Sequence, residues 1–554
     1  MASRETGITF QHPTAFWLGT IAVASGVLAH IPAFVGASAM GYRMSGMPMS
    51  PLMLMGMMLI VAGLASAAYG LIPFGDAYQP ATGHVSEGVH FLAMDGARLS
   101  GQHWRLLFIL GVALVVDVMK PATLGFVVPG MKHEYGISTA AVSIFPFVAL
   151  TGTTIGSIVW GLLSDRIGRR AAILLASILF MATSICGFMP SLRWNLFMCF
   201  IMGLSAGGML PIVYALMTES MPAKRRGWLV VLHGGLGTIG GYLVASGLAT
   251  FLEPHFTWRI LFFAGLPTGL LMLLLNRSIP ESPRFLIERG RIAEAEKVMR
   301  RYGVVVTRDE SAPPTIVAPV AARVAPESTW SRIHALFRKP YLPHTITVGM
   351  YGLGWGLVNW GFLTFTPTIL RDRGLDAASA SKLLFWSALI AVPATVLVAF
   401  LYGLWSSKKS MILFAMITSG ALIAFALVDP GSGGQTTLLL PLMVLLLVGS
   451  GGIISMLSPY TAEVYPTALR GTGSGFAAGS SKLGGMIAPP VAALALSIVP
   501  GFTLIGFAVA GPVLLSAIIL VVTGIETRDR ALEELTDVAP PSVDRELVVD
   551  QGVA

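Results

Sequence analysis

Three ionisable residues of this chain lie deep inside long apolar stretches, where a charged group is energetically expensive. Asp117 and Lys120 stand three residues apart in the stretch 106–128, and Lys482 lies well inside the stretch 470–498. Charges at such positions are usually functional, because their cost falls only when they are paired or face water. Pro121 removes the amide that would bond the carbonyl of Asp117, which predicts a local kink with a free acceptor. These residues are therefore the first candidates for a binding or proton-transfer site.

A carboxylate and ammonium groups in one enclosed space can bind a proton and an anion together. The spacing of Asp117 and Lys120 puts both on one helical face within pairing reach. We interpret Asp117 as the proton-coupling group and Lys120 and Lys482 as the groups that bind an anion, because two cations against one carboxylate favour an anionic substrate. Two alternatives stay open. One is a static Asp117–Lys120 pair that holds the helix in place, and the other is an Asp117–Lys482 pair with Lys120 directed elsewhere.

Two further sets of candidates lie in other apolar stretches. His233 titrates near neutrality when unperturbed and is a candidate proton relay, although a hydrogen-bonded packing histidine is more common. An aromatic wall with one amide, suited to a ring or a flat acid, is predicted where four side chains recur at helical spacing: Tyr351, Trp355, Asn359 and Trp360. Tryptophan in packing or at a membrane interface is the alternative interpretation.

The composition identifies the elements that must position these residues as membrane helices. Hydrophobic residues make up 54% of the 554-residue chain and charged residues only 12%, whereas a soluble domain carries about 25% charged residues. Hydropathy predicts two early spans near 14–36 and 51–73 and twelve more between 106 and 523, which makes an all-α polytopic protein of 14 spans. Cys186 and Cys199 lie inside apolar runs, so neither a disulfide framework nor a metal site is expected.

The distribution of basic residues orients the chain. With the amino terminus inside, 27 of the 36 Lys and Arg residues fall in cytoplasmic segments, seven in external segments and two inside helices. This bias satisfies the positive-inside rule and predicts a multi-pass protein of the cell inner (plasma) membrane with both termini cytoplasmic. The same bias accounts for the pI of about 9.5. The lipid bilayer is therefore the expected surrounding, and no nucleic-acid partner is expected.

The last twelve predicted spans contain an internal duplication. The segment Glu219-Ser-Met-Pro-Ala-Lys-Arg-Arg226-Gly recurs 244 residues later as Glu463-Val-Tyr-Pro-Thr-Ala-Leu-Arg470-Gly. Other motif pairs at nearly the same spacing support two six-helix halves. The predicted units are an N-terminal two-helix extension at 1–90, six-helix bundles at 100–278 and 342–524, a central cytoplasmic loop at 279–341 and a cytoplasmic tail at 525–554.

A charged loop in the first half carries a family resemblance. The segment Gly161-Leu-Leu-Ser-Asp165-Arg166-Ile-Gly168-Arg169-Arg170 resembles the signature loop of the major facilitator superfamily. The paired E-x-x-P-x-x-x-R-G segments resemble its branch of sugar porters, organic-ion transporters and bacterial organic-acid/proton symporters. The resemblance implies two bundles that rock around a central site. The second-half loop, Ser406-Ser407-Lys408-Lys409, departs from the pattern because it lacks the Asp-Arg-x-Gly portion.

These charged motifs predict a gate on the inner side. The planar fork of arginine suits ion pairs with carboxylates and bonds to helix-end carbonyls. The alternative is topogenic charge on a solvated face. The expected gating residues are Gly161, Asp165, Arg166, Gly168, Arg169, Arg170, Glu219, Arg226, Glu463 and Arg470.

Together the patterns predict a secondary active transporter, and not an enzyme, that moves a small organic anion with protons and needs no cofactor beyond the proton gradient. A sugar or drug carrier is one alternative, although the stretch 342–369 offers a single amide where a sugar porter presents several. A Cu(I) carrier that uses Met44, Met47 and Met49 is another, because thioethers suit a soft ion, although methionine is also a flexible filler. A partner for the extension is unknown.

Overall fold

The computed structural model describes residues 10–73, 98–275, 278–289, 291–304, 329–372, 374–427, 436–465, 467–499 and 503–527. All regular secondary structure in these ranges is helical, which confirms the predicted all-α class. Twelve of the described helices are long and apolar enough to cross a membrane. Two further predicted spans correspond to the shorter apolar helix Ile260–Leu275 and to the helical run from Leu342 to Asp372. The count of fourteen spans stays a prediction, as do the boundaries of the predicted units.

The N-terminal extension is a tight helical hairpin. Ser50 caps its second long helix by accepting a hydrogen bond from the Met53 amide at 3.2 Å. Glycines let the two helices approach closely, because a Cβ at Gly19 or Gly63 would collide with the backbone of the other helix. The elements are α1 (Pro13–Leu28), α2 (Ile31–Gly36), a 3-10 turn (Ala37–Met40) and α3 (Pro51–Leu71).

The first bundle starts with a long helix, α4 (Gly101–Tyr135), which begins at a capping box formed by Ser100 and His103 and ends at Gly136 with φ 60°. The hairpin α1–α3 contacts this bundle through α7. The remaining elements are α5 (Thr139–Val142), α6 (Ile144–Ile167), α7 (Arg169–Ala182), a 3-10 turn (Thr183–Phe188), α8 (Leu192–Ser220), α9 (Ala223–Phe256), α10 (Ile260–Phe263) and α11 (Gly265–Leu275).

Short helices connect the first bundle to the second, which repeats its packing. Helix α4 packs along α9, and the corresponding first helix of the second bundle packs along α21. The connecting helices are α12 (Pro283–Glu288), α13 (Ile292–Arg301) and α14 (Thr329–Leu336). The second bundle comprises α15 (Leu342–Leu357), a π-helical turn (Val358–Leu363), α16 (Thr364–Asp372), α17 (Ala377–Ala391), α18 (Ala394–Phe400), a π-helical turn (Leu401–Trp405), α19 (Ser407–Leu427), α20 (Thr436–Val464), α21 (Thr467–Ile498) and α22 (Thr503–Thr523).

The interface between the bundles brings α4 to α16, α6 to α21 and α9 to α17, α18 and α20. Following the predicted orientation, we call the end of the bundles that carries the segment 165–170 the inner end and the opposite end the outer end. The candidate residues of the apolar stretches therefore lie between these two ends, where helices of both bundles meet.

Candidate functional site

Helix α4 places Asp117 in the interior of the protein. The residue is 6% exposed, and its carboxyl group lies beside the backbone amide of Leu210 in α8. The Tyr214 side chain, one turn further along α8, is close enough to interact with its charge. Pro121 is accommodated inside the helix, in agreement with the tolerance of proline in membrane helices. Asp117 is thus a buried carboxyl group surrounded by polar atoms of the same bundle.

Lys482 approaches this carboxyl group from the other bundle. It lies on α21, is partly exposed, and its charge interacts with that of Asp117. No direct ion pair between them is present among the described residues. This arrangement matches the alternative in which Lys482 faces Asp117. Because the two residues belong to different bundles, their attraction acts across the interface between the bundles.

The predicted pairing of Lys120 with Asp117 is wrong. The Lys120 amine is 1% exposed and donates hydrogen bonds to the Phe180 carbonyl and the Thr183 hydroxyl. It also lies 3.9 Å from the centre of the Phe180 ring. Residues three apart on a helix differ by about 60° in direction, and this rotation turns Lys120 toward α7, away from the second bundle. The central charges are therefore one carboxyl group and one ammonium group, and the predicted excess of two cations over one carboxylate does not occur at the bundle interface.

A narrow cavity of about 20 Å³ lies between the bundles, and neither Asp117 nor Lys482 is among its lining residues. Val118 follows Asp117 on its wall, and Trp360, on the opposite wall, packs against Gly485 one turn beyond Lys482. This volume holds about one water molecule, so the centre is closed. The lining residues are Val118, Ala122, Thr238, Ile239, Tyr242, Asn359, Trp360, Leu363, Thr364, Leu447, Ser450 and Gly451.

Half of the predicted aromatic wall lies at this cavity. Asn359 and Trp360 both line it, and both lie in the π-helical turn at 358–363. Tyr351 does not belong to the wall: its hydroxyl donates to the Met411 carbonyl at 3.2 Å, so it packs against α19. Trp355 is partly buried against the core, and its Nε1 has no hydrogen-bond partner in the described part of the chain.

Sequence reasoning missed several polar residues of the cavity. Thr238 and Tyr242 stand one turn apart on α9, and Thr364 and Ser450 face them from the second bundle. The spacing of four between Thr238 and Tyr242 was a usable signal, because it places both on one helical face. Nothing in the local sequence around Ser450 distinguishes it from the other small residues of α20.

His233 connects two helices of the first bundle. Its Nδ1 lies 3.0 Å from the Leu229 carbonyl, and its Nε2 lies 2.8 Å from the Leu107 carbonyl of α4. Both ring nitrogens therefore face backbone acceptors, which matches the packing alternative. The proton-relay role stays a prediction.

At the inner end, the predicted gating residues form contacts within the first bundle. Arg169 pairs with Glu219 at 3.2 Å and with Asp165 at 3.3 Å. Gly168 has φ 96°, and a Cβ there would collide with the Glu281 carboxylate, so glycine is required. Glu281 in turn accepts a hydrogen bond from the Arg169 amide at 2.8 Å. Burial raises the pKa of the Glu281 carboxyl to about 7, against the lowering effect of the Ser282, Arg169 and Arg170 amides.

The second bundle reaches the same arrangement with hydroxyl groups. Glu526 accepts hydrogen bonds from the Ser407 amide at 2.9 Å and the Ser407 hydroxyl at 2.7 Å. Ser406 also donates to it. Glu281, which follows the sixth helix of the first half, caps the start of α7, the third helix of that half. Glu526, which follows the sixth helix of the second half, caps the start of α19 in the same way. The missing Asp-Arg-x-Gly portion is thus compensated by two serines.

The other predicted gating residues are accounted for individually. Glu463 accepts hydrogen bonds from the Tyr402 and Thr527 hydroxyls at 2.9 and 2.6 Å. The Arg226 guanidinium donates to the Met221 carbonyl at 3.1 Å. The Arg166 carbonyl accepts a hydrogen bond from Arg289 at 2.6 Å, and the Arg170 amide donates to Glu281 at 3.3 Å. Gly161 lies inside α6. Arg470 lies on α21, and its side chain is outside the described atoms. The gating role itself stays a prediction.

Ion pairs that join the two bundles lie at the outer end. Glu253 of α9 pairs with Arg371 of α16 at 2.7 Å, and their side chains are 9% and 18% exposed. Lys132 of α4 pairs with Asp372 at 3.2 Å in a more exposed position. In the sequence, Lys132 and Arg371 stand out only as external basic residues. Their partners lie 240 and 118 positions away in the chain, so neither ion pair gives a local sequence signal.

A vestibule of about 1100 Å³ opens above these pairs, and the extension contributes to its wall. Arg43 and the adjoining residues 40–41 line it beside the outer ends of both bundles. The Met44 and Ser45 amides donate to the Glu134 carboxylate at 3.1 Å each, which fixes the loop to α4. Glu134 also pairs with the fully buried Arg259 at 2.7 Å.

The methionine cluster of this loop is used for packing. Met44 is buried with Met53, Phe34 and Phe188, and Met47 packs against the same cluster. Within the described residues, no group of three His, Cys, Asp or Glu side chains is placed to hold a metal ion. The Cu(I) alternative stays a prediction.

Comparisons with known proteins identify the family. The model of the Major Facilitator Superfamily matches residues 106–489. The chain is 26% identical over 437 residues to a niacin transporter of Acinetobacter baylyi, covering 78% of this chain and 96% of that protein. It is 26% identical over 445 residues to a 4-hydroxybenzoate transporter of Pseudomonas putida, covering 77% and 94%.

Solved structures show the same fold. The xylose transporter XylE from E. coli, in a partially occluded inward-open conformation, aligns with a TM-score of 0.62 at 17% identity, covering 78% of this chain and 100% of that chain. About a fifth of the present chain therefore has no counterpart in these proteins. The paired bundles, the motif loop and the family match agree, and the chain belongs to the Major Facilitator Superfamily of membrane transporters.

Proposed function

We propose that the protein is a proton-coupled symporter of a small organic anion, most suitably an aromatic carboxylate. The observation that carries this proposal is the position of Lys482, which reaches the bundle interface opposite Asp117. A lone ammonium group at the bundle interface, together with the aromatic residues Trp360 and Tyr242 that line the cavity of this interface, suits a ring that carries one negative charge.

The two charges provide a coupling mechanism. When Asp117 is ionised, it competes with the substrate for Lys482. A proton on Asp117 removes this competitor and frees the ammonium group for the substrate carboxylate. Because linkage is reciprocal, the bound anion also favours protonation of Asp117. Proton and anion therefore bind together, and loss of the proton on the other side expels the anion.

The relatives support an aromatic acid over a sugar. Niacin and 4-hydroxybenzoate, named for two relatives, are each a six-membered ring with one carboxyl group. Among the cavity-lining residues Asn359 is the single carboxamide, whereas a neutral polyol needs many hydrogen-bonding partners. The likeness to a xylose transporter at 17% identity concerns the fold alone.

The energy source in this proposal is the proton gradient, and no cofactor takes part. In this proposal the protein lies in the inner membrane with both termini cytoplasmic, which the bias of basic residues supports. Uptake is the proposed direction, since the external side is acidic relative to the cytoplasm in a respiring cell and protons enter down their gradient.

Transport into proteoliposomes tests the function. Purified protein is reconstituted, an inward proton gradient is imposed, and accumulation of radiolabelled nicotinate and 4-hydroxybenzoate is followed. Nicotinamide, which has the ring of nicotinate without its charge, is the matched control. We expect accumulation of at least one acid that collapses with a protonophore, and no accumulation of nicotinamide. Equal accumulation of nicotinate and nicotinamide, or accumulation that survives the protonophore, would refute the proposal.

A further inference from the structure

The floor of the outer vestibule contains polar groups whose hydrogen-bonding capacity is not used. In the described part of the chain, four buried side-chain atoms that belong to vestibule residues have no hydrogen-bond partner. They are Nε of Arg371, Oε2 of Glu253, Oγ1 of Thr368 and Oγ1 of Thr257. Buried polar groups are normally satisfied, so a cluster of four at one place marks a site that can accept a polar ligand.

Arg371 is the cationic member of this set of four. One nitrogen, Nη2, donates to Glu253 at 2.7 Å, while Nε is unpaired. A guanidinium can bind a carboxylate through two parallel hydrogen bonds. Its pairing with Glu253 through Nη2 therefore leaves the Nε donor for a second carboxylate. Thr368, which is 1% exposed and stands one turn before Arg371 on α16, adds a hydroxyl group.

The backbone at the other side of the floor is strained. Thr257 ends α9 with φ 61°, in the left-handed region, which is unfavourable for a β-branched residue. This conformation holds the Thr257 hydroxyl at the vestibule four residues after Glu253. Strained positions of this kind persist where the surrounding structure enforces them, often at binding sites.

We propose that this floor is an outer recognition site for the substrate carboxylate. The site rests on the proposed transport of an organic anion and adds a step before the central site is reached. The incoming carboxylate bonds Nε of Arg371 and the Thr368 hydroxyl, and then replaces Glu253 on the guanidinium. Because Arg371 and Glu253 belong to different bundles, this exchange breaks the buried ion pair that closes the outer end.

The exchange makes opening specific for charge. A neutral analogue cannot replace a carboxylate on arginine, so it leaves the Glu253–Arg371 pair closed. The outer Lys132–Asp372 pair is more exposed, with side chains 31% and 57% accessible, and exposed pairs contribute little to closure. The buried pair is therefore the one that the substrate must displace.

Cysteine accessibility below the pair tests the proposal. Ala249 is 1% exposed, lines the vestibule and lies one turn deeper than Glu253 on α9. In an Ala249→Cys protein, labelling by a membrane-impermeant maleimide from the outside reports opening. Cys186 and Cys199 are buried, and the parent chain gives their background. Nicotinate is the probe, and nicotinamide is its uncharged control.

Three substitutions in this background separate closure from recognition. Glu253→Gln should raise labelling severalfold without ligand, because the ion pair is lost. Arg371→Lys keeps a charge for Glu253 but not the planar fork. The nicotinate concentration for half-maximal labelling should therefore rise about tenfold, as expected for one lost charge-assisted bond. Thr368→Val keeps the side-chain shape and should raise the same concentration about threefold or more.

Several outcomes would overturn the proposal. Unchanged nicotinate dependence in both Arg371→Lys and Thr368→Val would remove the outer site. Stimulation by nicotinamide equal to that by nicotinate would also remove it. If these results occur while the parent still accumulates nicotinate in proteoliposomes, the outer site alone fails and the transport function stands. If the parent accumulates neither acid and neither acid changes labelling, both proposals fail.

Discussion

Replacing Lys482 by Gln should weaken binding of the anion while the fold is retained. Lys482 is partly exposed at the bundle interface, so the substitution removes a charge without leaving a buried partner in direct contact. A carboxylate about 4 Å from an ammonium group gains about 4 kcal/mol at an effective dielectric of about 20. Desolvation offsets part of this gain, and a charge-assisted hydrogen bond contributes about 1.5–3 kcal/mol net. The affinity for nicotinate should therefore fall about 10- to 150-fold.

Matched variants separate this effect from general damage. Lys482→Arg keeps the charge and should lose much less affinity. Lys120→Met removes the other ammonium group, which donates hydrogen bonds to Phe180 and Thr183 in the first bundle. This variant should lower thermal stability but leave the nicotinate affinity of the folded protein unchanged.

Isothermal titration of purified protein with nicotinate at pH 6, with nicotinamide as the neutral control, measures these affinities. Loss of affinity in Lys120→Met together with parent-like affinity in Lys482→Gln would refute the assignment of the central cation. Equal losses for nicotinate and nicotinamide in Lys482→Gln would show that the charge is not what the residue contributes.

Three more predictions concern the supporting structure. The pKa of the Glu281 carboxyl is about 7 in the folded protein, above the unfolded value of about 4.3. Between about pH 4.3 and pH 7, folding is therefore accompanied by proton uptake. The contribution of Glu281 to stability falls as the pH rises through this interval. The thermal midpoint of the parent minus that of Glu281→Gln should thus decrease from pH 5 to pH 8; a constant difference would contradict the burial effect. Glu134→Gln leaves Arg259 buried without a countercharge and should destabilise the protein by about 3–5 kcal/mol. The exposed Asp376→Asn control should show almost no change in the same thermal assay, and equal midpoints for the two variants would disprove the role of the buried pair. His233→Gln can keep one hydrogen bond to a backbone carbonyl, so its uptake should keep the pH profile of the parent, and a lost acidic limb would restore the relay hypothesis.

The helical class and the location of Asp117 and Lys482 in the interior of the bundles could be read from the sequence because they follow from local signals. Apolar runs longer than a bilayer is thick must be helices, since every backbone group has to be satisfied internally. A charge within such a run is costly wherever its helix lies. An arrangement in which Lys482 faces Asp117 was one of the alternatives left open by the sequence, because each of these residues needs a polar partner or water.

The features that the sequence could not predict depend on rotation and on distant chain segments. Lys120 points about 60° away from Asp117 around α4 and bonds the Phe180 carbonyl. A spacing of three residues is compatible both with this contact and with an Asp117–Lys120 ion pair, so the sequence does not distinguish them. Tyr351 and Trp360 are nine residues apart, which is about 180° of rotation on a regular helix, so their repeated spacing does not put both side chains on one wall. The Glu253–Arg371 pair joins residues 118 positions apart, and only the docking of one bundle on the other brings them together.

The pH dependence of nicotinate binding to the parent and to Asp117→Asn tests the coupling mechanism most directly. In the parent, affinity should fall as pH rises, because ionised Asp117 competes for Lys482. In Asp117→Asn that competitor is absent, so binding should stay at the strength of the parent at low pH across the whole range, while accumulation driven by a proton gradient is lost. A variant whose affinity still falls with pH as in the parent, or which still accumulates nicotinate against its gradient, would contradict the account.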